Sequence, residues 1–219
     1  MGIEKRRAKR LAVKGVHGQL PFETKVEVLN LSLGGVAVRA DRRLSAGTSC
    51  SIRLQVGELT LDFTGVVAWC TRTGFRKSNG KRAAVYAAGL KLDGVIPDKT
   101  RALLTFIDAN KPSGEQRLLG IRFKIEAPAT LKGLERYEVK RISVWGMLIE
   151  TPNSLEIDSV HPMEIRPSRG RPIRLSGRVA NQAEVERKAQ VDYEVGIEFV
   201  KMSREDRSRL KRFVATLAR

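Results

Sequence analysis

Apolar and polar residues alternate in short runs along most of the chain, the pattern typical of β-strands with one buried face. In the first half the alternation predicts strands over residues 11–20, on both sides of a polar corner within 26–40, and over 49–56, 59–70 and 86–92. Residues 71–82 are polar and basic and contain glycine, so they are predicted to form a long hairpin loop. The period becomes helical at residues 98–107, where Asp98 is a candidate N-cap.

The same order of elements recurs after residues 110–115, whose proline, serine and glycine favour a linker. Residues 137–150 resemble 26–39, 172–180 resemble 61–69, and 193–199 resemble 86–92. Residues 203–217 are predicted to form a C-terminal helix, because Ser203 and Asp206 have the spacing of a capping box. We therefore predict a mainly β chain of two tandem small antiparallel β-barrels, residues 1–110 and 111–219, each followed by a C-terminal α-helix.

A basic run precedes the first strand and contains Arg6, Arg7 and Arg10, together with Lys5. The planar guanidinium fork of arginine can meet either a phosphate or the O6/N7 edge of guanine with two parallel hydrogen bonds. Taken alone, such a run is more typical of a solvated tail, and its interest depends on the polar corner about twenty residues downstream.

That corner, in the first copy, is Asn30-Leu31-Ser32-Leu33-Gly34-Gly35. The Asn30 carboxamide offers an acceptor for guanine N1–H and N2–H₂, and the Ser32 hydroxyl can serve a base or a phosphate. Gly34 and Gly35 let a ligand approach the backbone, although asparagine and glycine also occur in plain turns. Together with the arginines, the corner predicts a pocket for a guanine-bearing phosphate ligand.

Arg6-x-x-x-Arg10 followed by Asn30-x-Ser32-x-x-Gly35 resembles the signature of the PilZ domain, a bacterial receptor for cyclic di-GMP. The resemblance implies that both barrels are PilZ-like and that cyclic di-GMP, a ligand rather than a cofactor, binds at the first. It also implies that the arginine arm closes over the ligand, with Arg7 and Lys5 adding charge. Lys5, just before the first arginine, would influence whether one ligand or a stacked pair binds. Output is expected through contacts with an unidentified protein partner.

The second copy departs from this signature because Arg141 replaces the asparagine, while Ser143 and Gly146 persist. An arginine cannot accept a hydrogen bond from guanine. We therefore expect that the second copy does not bind cyclic di-GMP in the family's usual way, although it could hold an anion or serve as a partner surface. Trp69 and Trp145 lie in strand patterns and are expected to pack inside the barrels, with a docking role open for Trp145.

The net charge of +17 indicates anionic partners. Residues 1–110 carry 19 basic and 9 acidic side chains, and residues 111–219 carry 22 and 15, so the excess is spread as +10 and +7. This distribution fits a nucleotide, an acidic protein surface or nucleic acid. Two alternatives therefore remain beside the receptor hypothesis: a nucleic-acid-binding basic barrel protein and a ligand-free structural adaptor. An aromatic content of 5% argues against the stacking platforms used for single strands.

The sequence shows no P-loop, no dinucleotide fingerprint and no histidine paired with a nucleophile motif, so we do not expect an enzyme. Cys50 and Cys70 are predicted to be buried thiols, and the isolated His17 and His161 do not suggest a metal site. No apolar run approaches the roughly 18 residues that a membrane-spanning helix needs. We therefore expect no transmembrane segment and a cytoplasmic location.

Overall fold

The computed structural model describes residues 11–32, 34–56, 59–78, 81–93, 123–187 and 190–217. Within these ranges the chain is mainly β, with one helix, α1 (Arg204–Leu217). The strands in chain order are β1 (Leu11–Ala12), β2 (His17–Ser32), β3 (Gly35–Ala40), β4 (Ser49–Val56), β5 (Leu59–Ser78), β6 (Lys81–Leu92), β7 (Phe123–Ile142), β8 (Gly146–Thr151), β9 (Val160–Arg166), β10 (Ile173–Arg187) and β11 (Gln190–Met202). The mainly β prediction is confirmed.

The chain divides into two compact units. The first-corner unit comprises residues 22–134 and contains the Asn30 corner. The second-corner unit comprises residues 1–21 together with 135–219 and contains the equivalent corner at Arg141. The domain boundary predicted near residue 110 lies outside the described residues and stays a prediction.

In the first-corner unit the antiparallel strand order is β2, β3, β6, β5, β4 and β7. The alternation seen in the sequence places one face of each strand in a common core. Val28, Val38, Ile52 and Leu131 are almost completely buried there. Leu131 belongs to the second sequence repeat, because residues 129–133 of β7 pair with β4.

In the second-corner unit β9, β10, β11, β8 and the end of β7 pair in that order, again antiparallel. Residues 17–19 of β2 pair with β9 at the other end of this series. β1 pairs with residues 141–142 of β7. The core contains Leu20, Tyr137, Val139 and Ile165, all at most 2% exposed.

The long strands β2 and β7 each contribute to both units. β2 passes from the second-corner unit to the first between Pro21 and Phe22, and β7 passes the opposite way between Leu134 and Glu135. Each unit is therefore completed by a strand segment from the other sequence repeat. Such an exchange of equivalent elements requires only that both repeats offer the same docking position.

The C-terminal helix α1 begins where the capping pattern predicts. The Asp206 backbone N–H donates to Ser203 Oγ at 3.0 Å, and the Ser203 hydroxyl donates to the Asp206 carboxylate at 2.6 Å. Hydrogen bonds from Ser203 and from the Arg174 backbone, aided by the charge of Arg209, outweigh burial and hold the pKa of Asp206 below its usual value. Leu210 is buried and anchors the helix on the second core.

Four further expectations concern a loop, a helix, a linker and the closure of the sheets. The predicted loop at residues 71–82 is wrong, because β5 continues to Ser78 and pairs with residues 81–87 of β6. Residues 71–77 are exposed apart from Gly74, which is of intermediate burial, so backbone pairing with β6 rather than a buried face holds this part of the strand. The predicted helix at 98–107 and linker at 110–115 lie outside the described residues. Closure of either sheet into a barrel stays a prediction.

The expected burial of both tryptophans is also wrong. Trp69 is 45% exposed and Trp145 is 50% exposed. Trp69 covers Gly89, where an added Cβ would come within 2.1 Å of the indole nitrogen. Each unit therefore contains one tryptophan at its surface, Trp69 in the first-corner unit and Trp145 in the second.

Candidate functional site

The first corner joins β2 to β3, and its backbone geometry follows from strand pairing. Asn30 pairs with Ala37 and Ser32 with Gly35, with a bulge between Val28 and Asn30. A bulge increases the local twist and re-aims the side chains that follow it. The Gly34 carbonyl accepts a hydrogen bond from the Leu92 N–H at 3.2 Å, which ties the corner to β6. Leu33 lies outside the described residues.

The side chains leave this corner open. Asn30 is of intermediate burial, and no other described residue forms a hydrogen bond with its carboxamide. The Ser32 hydroxyl donates to the Gly35 carbonyl at 3.2 Å. Gly34 is exposed, and a Cβ added there would meet nothing within 4 Å. Gly35 is required by the fold instead, since its Cβ would come within 2.8 Å of the Leu90 carbonyl oxygen.

The remaining predicted site residues, Arg6, Arg7 and Arg10, lie outside the described residues, as does Lys5. The strand that follows this basic arm is described. Leu11 pairs with Ile142 and Ala12 with Arg141, which is the second corner rather than the first. The described residues that follow the arm therefore lie at the second corner, and contact between the arm and Asn30 stays a prediction.

The second corner, between β7 and β8, repeats the backbone of the first. Arg141 pairs with Leu148, after a bulge between Val139 and Arg141. The Trp145 carbonyl accepts from the Phe199 N–H at 2.9 Å, as the Gly34 carbonyl does from Leu92 in the first unit. The two corners are equivalent in backbone and differ in side chains.

The side chains of the second corner fill and cover it. Ser143 is buried, donates to the Gly146 carbonyl and accepts from the N–H groups of Trp145 and Gly146, all at 3.2 Å. A Cβ on Gly146 would come within 2.4 Å of the Ile197 carbonyl oxygen, so glycine is again required by the fold. Trp145 stands where the first corner has the open Gly34, and the exposed Arg141 replaces Asn30.

The equivalence extends to the strands behind the corners. A bulge lies between Val67 and Trp69 in β5 and between Val179 and Asn181 in β10. Alignment of the two bulges makes residues 60–68 equivalent to 172–180. The sequence comparison had matched 172–180 with residues 61–69, one residue further along. The Leu44 N–H donates to Cys70 Sγ at 3.4 Å, and the N–H of the equivalent Leu155 donates to a glutamine carboxamide at 3.0 Å.

One equivalent pair carries two different titratable groups. Cys50 pairs with Gly65, and His161 pairs with the equivalent Gly177. Burial raises the pKa of the Cys50 thiol to about 11, against the opposing charge of Arg42. Burial also lowers the pKa of His161, opposed by a nearby carboxylate. Both environments therefore favour the neutral form.

Cys50 is a buried free thiol, as predicted, whereas Cys70 is a free thiol of intermediate burial. Among the described residues no group of three His, Cys, Asp or Glu side chains could hold a metal ion. The described part of the chain also contains no helix long and apolar enough to cross a bilayer.

Sequence reasoning missed a basic cavity in the second-corner unit. A cavity of about 730 Å³ lies between residues 167–171 and α1, and Arg169, Arg171 and Arg212 line it. In the described part of the chain these three arginines form no ion pair, whereas Arg209 beside them is paired with Glu205. The run Ser-Arg-Gly-Arg at 168–171 could have indicated it, since two arginines flank a glycine that favours a turn. In the structure Gly170 has a φ of 104°.

Comparison with known proteins gives one family. The model of the PilZ domain matches residues 4–108 and again residues 112–216. Members of this family are non-enzymatic receptors whose ligand is cyclic di-GMP. The match therefore confirms the resemblance drawn from the sequence, the ligand class, and the expectation of a protein that is not an enzyme. The sequence matches no curated protein.

Solved structures offer similar proteins at low identity. The complex of K. pneumonia MrkH with c-di-GMP is 13% identical over 89% of this chain and 87% of that chain, with a TM-score of 0.36. The Bacillus subtilis inhibitor of motility MotI/DgrA is 11% identical over 99% and 97%, with a TM-score of 0.30. Borreliella burgdorferi PlzA in complex with c-di-GMP is 9% identical over 94% of both chains, with a TM-score of 0.23. At these TM-scores the likeness establishes neither a ligand nor a partner for this chain.

The family match covers nearly the whole sequence and falls on it twice, in the same order as the two equivalent corners of the fold. The chain therefore belongs to the PilZ domain family and carries two PilZ domains in tandem.

Proposed function

We propose that the protein is a cyclic di-GMP receptor and adaptor whose ligand site is the first corner. Asn30 would accept from guanine, Gly34 would leave space for it, and Ser32 and Gly35 would hold the corner in shape. Arg6, Arg7 and Arg10 would supply the guanidinium forks for phosphate and for the O6/N7 edge of guanine. Binding would close the arm over the ligand, and the surface formed in this way would contact a partner protein in the cytoplasm. In both repeats the strands would close into barrels, which would hold the corners rigidly.

The observation that carries this proposal is the openness of the first corner. Asn30 has no hydrogen-bond partner among the described residues, and Gly34 leaves free space in front of the backbone. Without a partner in the described part of the chain, the Asn30 carboxamide oxygen is available to accept from a ligand that supplies donors. Guanine N1–H and N2–H₂ are such donors. The second corner has the same backbone but presents a cation and an indole.

Calorimetric titration with cyclic di-GMP tests the proposal on four proteins: wild type, Arg10→Ala, Asn30→Ala and Arg141→Ala. We expect saturable binding in wild type and Arg141→Ala, and loss of at least tenfold in affinity in the other two. The stoichiometry will distinguish a single ligand from a stacked pair.

The pairing of Leu11 and Ala12 at the second corner makes one outcome decisive against this site. If Arg10→Ala and Arg141→Ala lose binding together while Asn30→Ala keeps it, the arm serves the second corner. No binding in any of the four proteins at low salt would reject the receptor function itself.

A second candidate function, binding of nucleic acid, is favoured by the arginine cavity of the second-corner unit. Three arginines without carboxylate partners would neutralise backbone phosphates and release counterions. For a short DNA duplex, the slope of log affinity against log salt should then weaken by about 0.9 for each phosphate contact removed by Arg169→Ala, Arg171→Ala or Arg212→Ala. Asn30→Ala should leave this binding unchanged. A duplex affinity equal in all variants would exclude the cavity as its site.

A further inference from the structure

The second corner holds an exposed tryptophan in a fixed backbone position. The Trp145 N–H donates to Ser143 Oγ, and its carbonyl accepts from Phe199. Half of the side chain is nevertheless exposed to solvent. An exposed tryptophan on a rigid element is the kind of residue that dominates protein interfaces, because it offers a large contact area at little cost in conformational entropy.

The exposed indole borders a small apolar cavity. The cavity has a volume of about 120 Å³, and Trp145, Phe199 and Met202 provide its apolar walls. Pockets that bury a drug-sized ligand or a nucleotide measure roughly 300–1,000 Å³. A cavity of about 150 Å³ accommodates a benzene-sized group. The volume therefore fits a single apolar side chain and is too small to enclose a nucleotide.

The rim of this cavity is basic. Lys201 from β11 and Arg207 and Lys211 from α1 line it, and no acidic residue does. Within the described ranges none of the three forms an ion pair. Unpaired charges of one sign around an apolar depression favour a partner of the opposite sign and suppress partners of the same sign. A second copy of this chain, with its net charge of +17, is thereby disfavoured.

We propose that the cavity beside Trp145 is a docking site for an acidic peptide segment of a partner protein, which inserts one bulky apolar side chain between Trp145 and Phe199. Its carboxylates contact Lys201, Arg207 and Lys211. The site lies wholly within the second-corner unit and does not depend on cyclic di-GMP binding at the first corner.

Selection of a random 12-residue peptide library displayed on phage against the full-length protein tests the site. We expect enriched peptides in which aspartate and glutamate surround one large apolar residue. Synthetic copies, measured by fluorescence polarisation, should bind Trp145→Gly at least tenfold more weakly and Lys201→Glu several-fold more weakly. Trp145→Gly installs the residue that the first corner has at this position, so the corner should keep its fold.

Trp69→Phe is the matched control, because Trp69 is exposed to a similar extent in the other unit. It should not change peptide affinity. In this background Trp145 is the remaining tryptophan, and its emission should move to shorter wavelength when the peptide covers it.

Three results would overturn the proposal: no enriched peptide, enrichment without acidic residues, or equal binding to Trp145→Gly. Trp145-dependent binding to phosphatidylglycerol vesicles without any enriched peptide would point to a membrane surface instead. Cyclic di-GMP titration of Trp145→Gly separates the two functions, since it should match wild type. If the wild-type protein does not bind cyclic di-GMP, the proposed function fails, but the peptide-docking proposal is still tested by the peptide measurements.

Discussion

The two corners share one backbone and have opposite side-chain chemistry. Both have a bulge before the corner, a serine that closes it and a glycine packed against a neighbouring carbonyl. The first then offers a free amide and open space, whereas the second offers a guanidinium and an indole. The comparison teaches that serine and the last glycine of the motif maintain the fold of the corner. The first and fifth positions decide what it can bind.

The largest expected effect is a loss of stability when the part of β2 that packs in the second-corner unit is disturbed. Gly18 of β2 pairs with Ile165, and a Cβ there would come within 2.2 Å of the buried Tyr137 ring. Overpacking of this kind costs about 1–3 kcal/mol, and a contact this short belongs at the upper end. Gly18→Ala should therefore destabilise the second-corner unit, although Gly18 belongs to the first sequence repeat.

Tryptophan fluorescence during urea unfolding distinguishes the two units. In a Trp69→Phe background Trp145 reports the second-corner unit, and Gly18→Ala should lower its midpoint. In a Trp145→Phe background the Trp69 transition should respond less. Gly74→Ala is the control, since Gly74 also lies in a strand and a Cβ there meets nothing within 4 Å. If the Trp145 midpoint does not move in Gly18→Ala, residues 17–20 do not pack on Tyr137.

The sequence predicted separate strands over residues 11–20 and from residue 26, whereas a single strand, β2, runs from His17 to Ser32. The pattern also does not tell in which unit each part of β2 lies. Both repeats offer an equivalent place for this strand segment, so its alternating pattern is compatible with pairing in either unit. The sequence did predict the tandem repeat, both corners and the capped C-terminal helix, since bulges, glycines and caps have local signatures. It also separated Asn30 from Arg141 by chemistry alone. It could not predict that Trp145 is exposed, because a tryptophan in a strand pattern is compatible with either face.

The next effect compares the two serines. Ser143→Ala removes three hydrogen bonds in a buried corner and leaves two backbone N–H groups without their acceptor. An unsatisfied buried group costs about 1–3 kcal/mol. Ser32→Ala removes the bond to the Gly35 carbonyl in a half-buried corner and should cost about 0.5–1.5 kcal/mol. Urea unfolding of the two variants should rank them in this order. Equal losses would show that the first corner is as tightly closed as the second.

Exchange of the first motif position should change ligand affinity with little effect on stability. Asn30→Arg replaces the acceptor by a donor-only group, so cyclic di-GMP affinity should fall tenfold or more, about 1.4 kcal/mol. Arg141→Asn should leave the affinity unchanged, because the indole of Trp145 still covers that corner. Calorimetry on both proteins measures the difference. Binding that survives Asn30→Arg would remove the first corner from the site.

The smallest effect is a pH dependence that differs between the units. His161 occupies the position of Cys50, and burial lowers its pKa while Glu135 opposes the shift. A histidine whose pKa is lowered in the folded state contributes stability above its unfolded pKa, about 6.5, and this contribution is lost as the pH falls below that value. Cys50, with a pKa of about 11, does not titrate in this range.

The Trp145 unfolding midpoint should therefore decrease between pH 7.5 and 5.5, and His161→Cys, which copies the first unit, should reduce that decrease. Cys50→His should introduce a similar decrease in the Trp69 transition, because the position is equivalent and the thiol is buried there. His161 forms a hydrogen bond with Ser159 Oγ at 2.8 Å, so Ser159→Ala controls for loss of that contact. An NMR titration of the imidazole with a midpoint above 6.5 would contradict the sign, because the carboxylate of Glu135 would then outweigh burial.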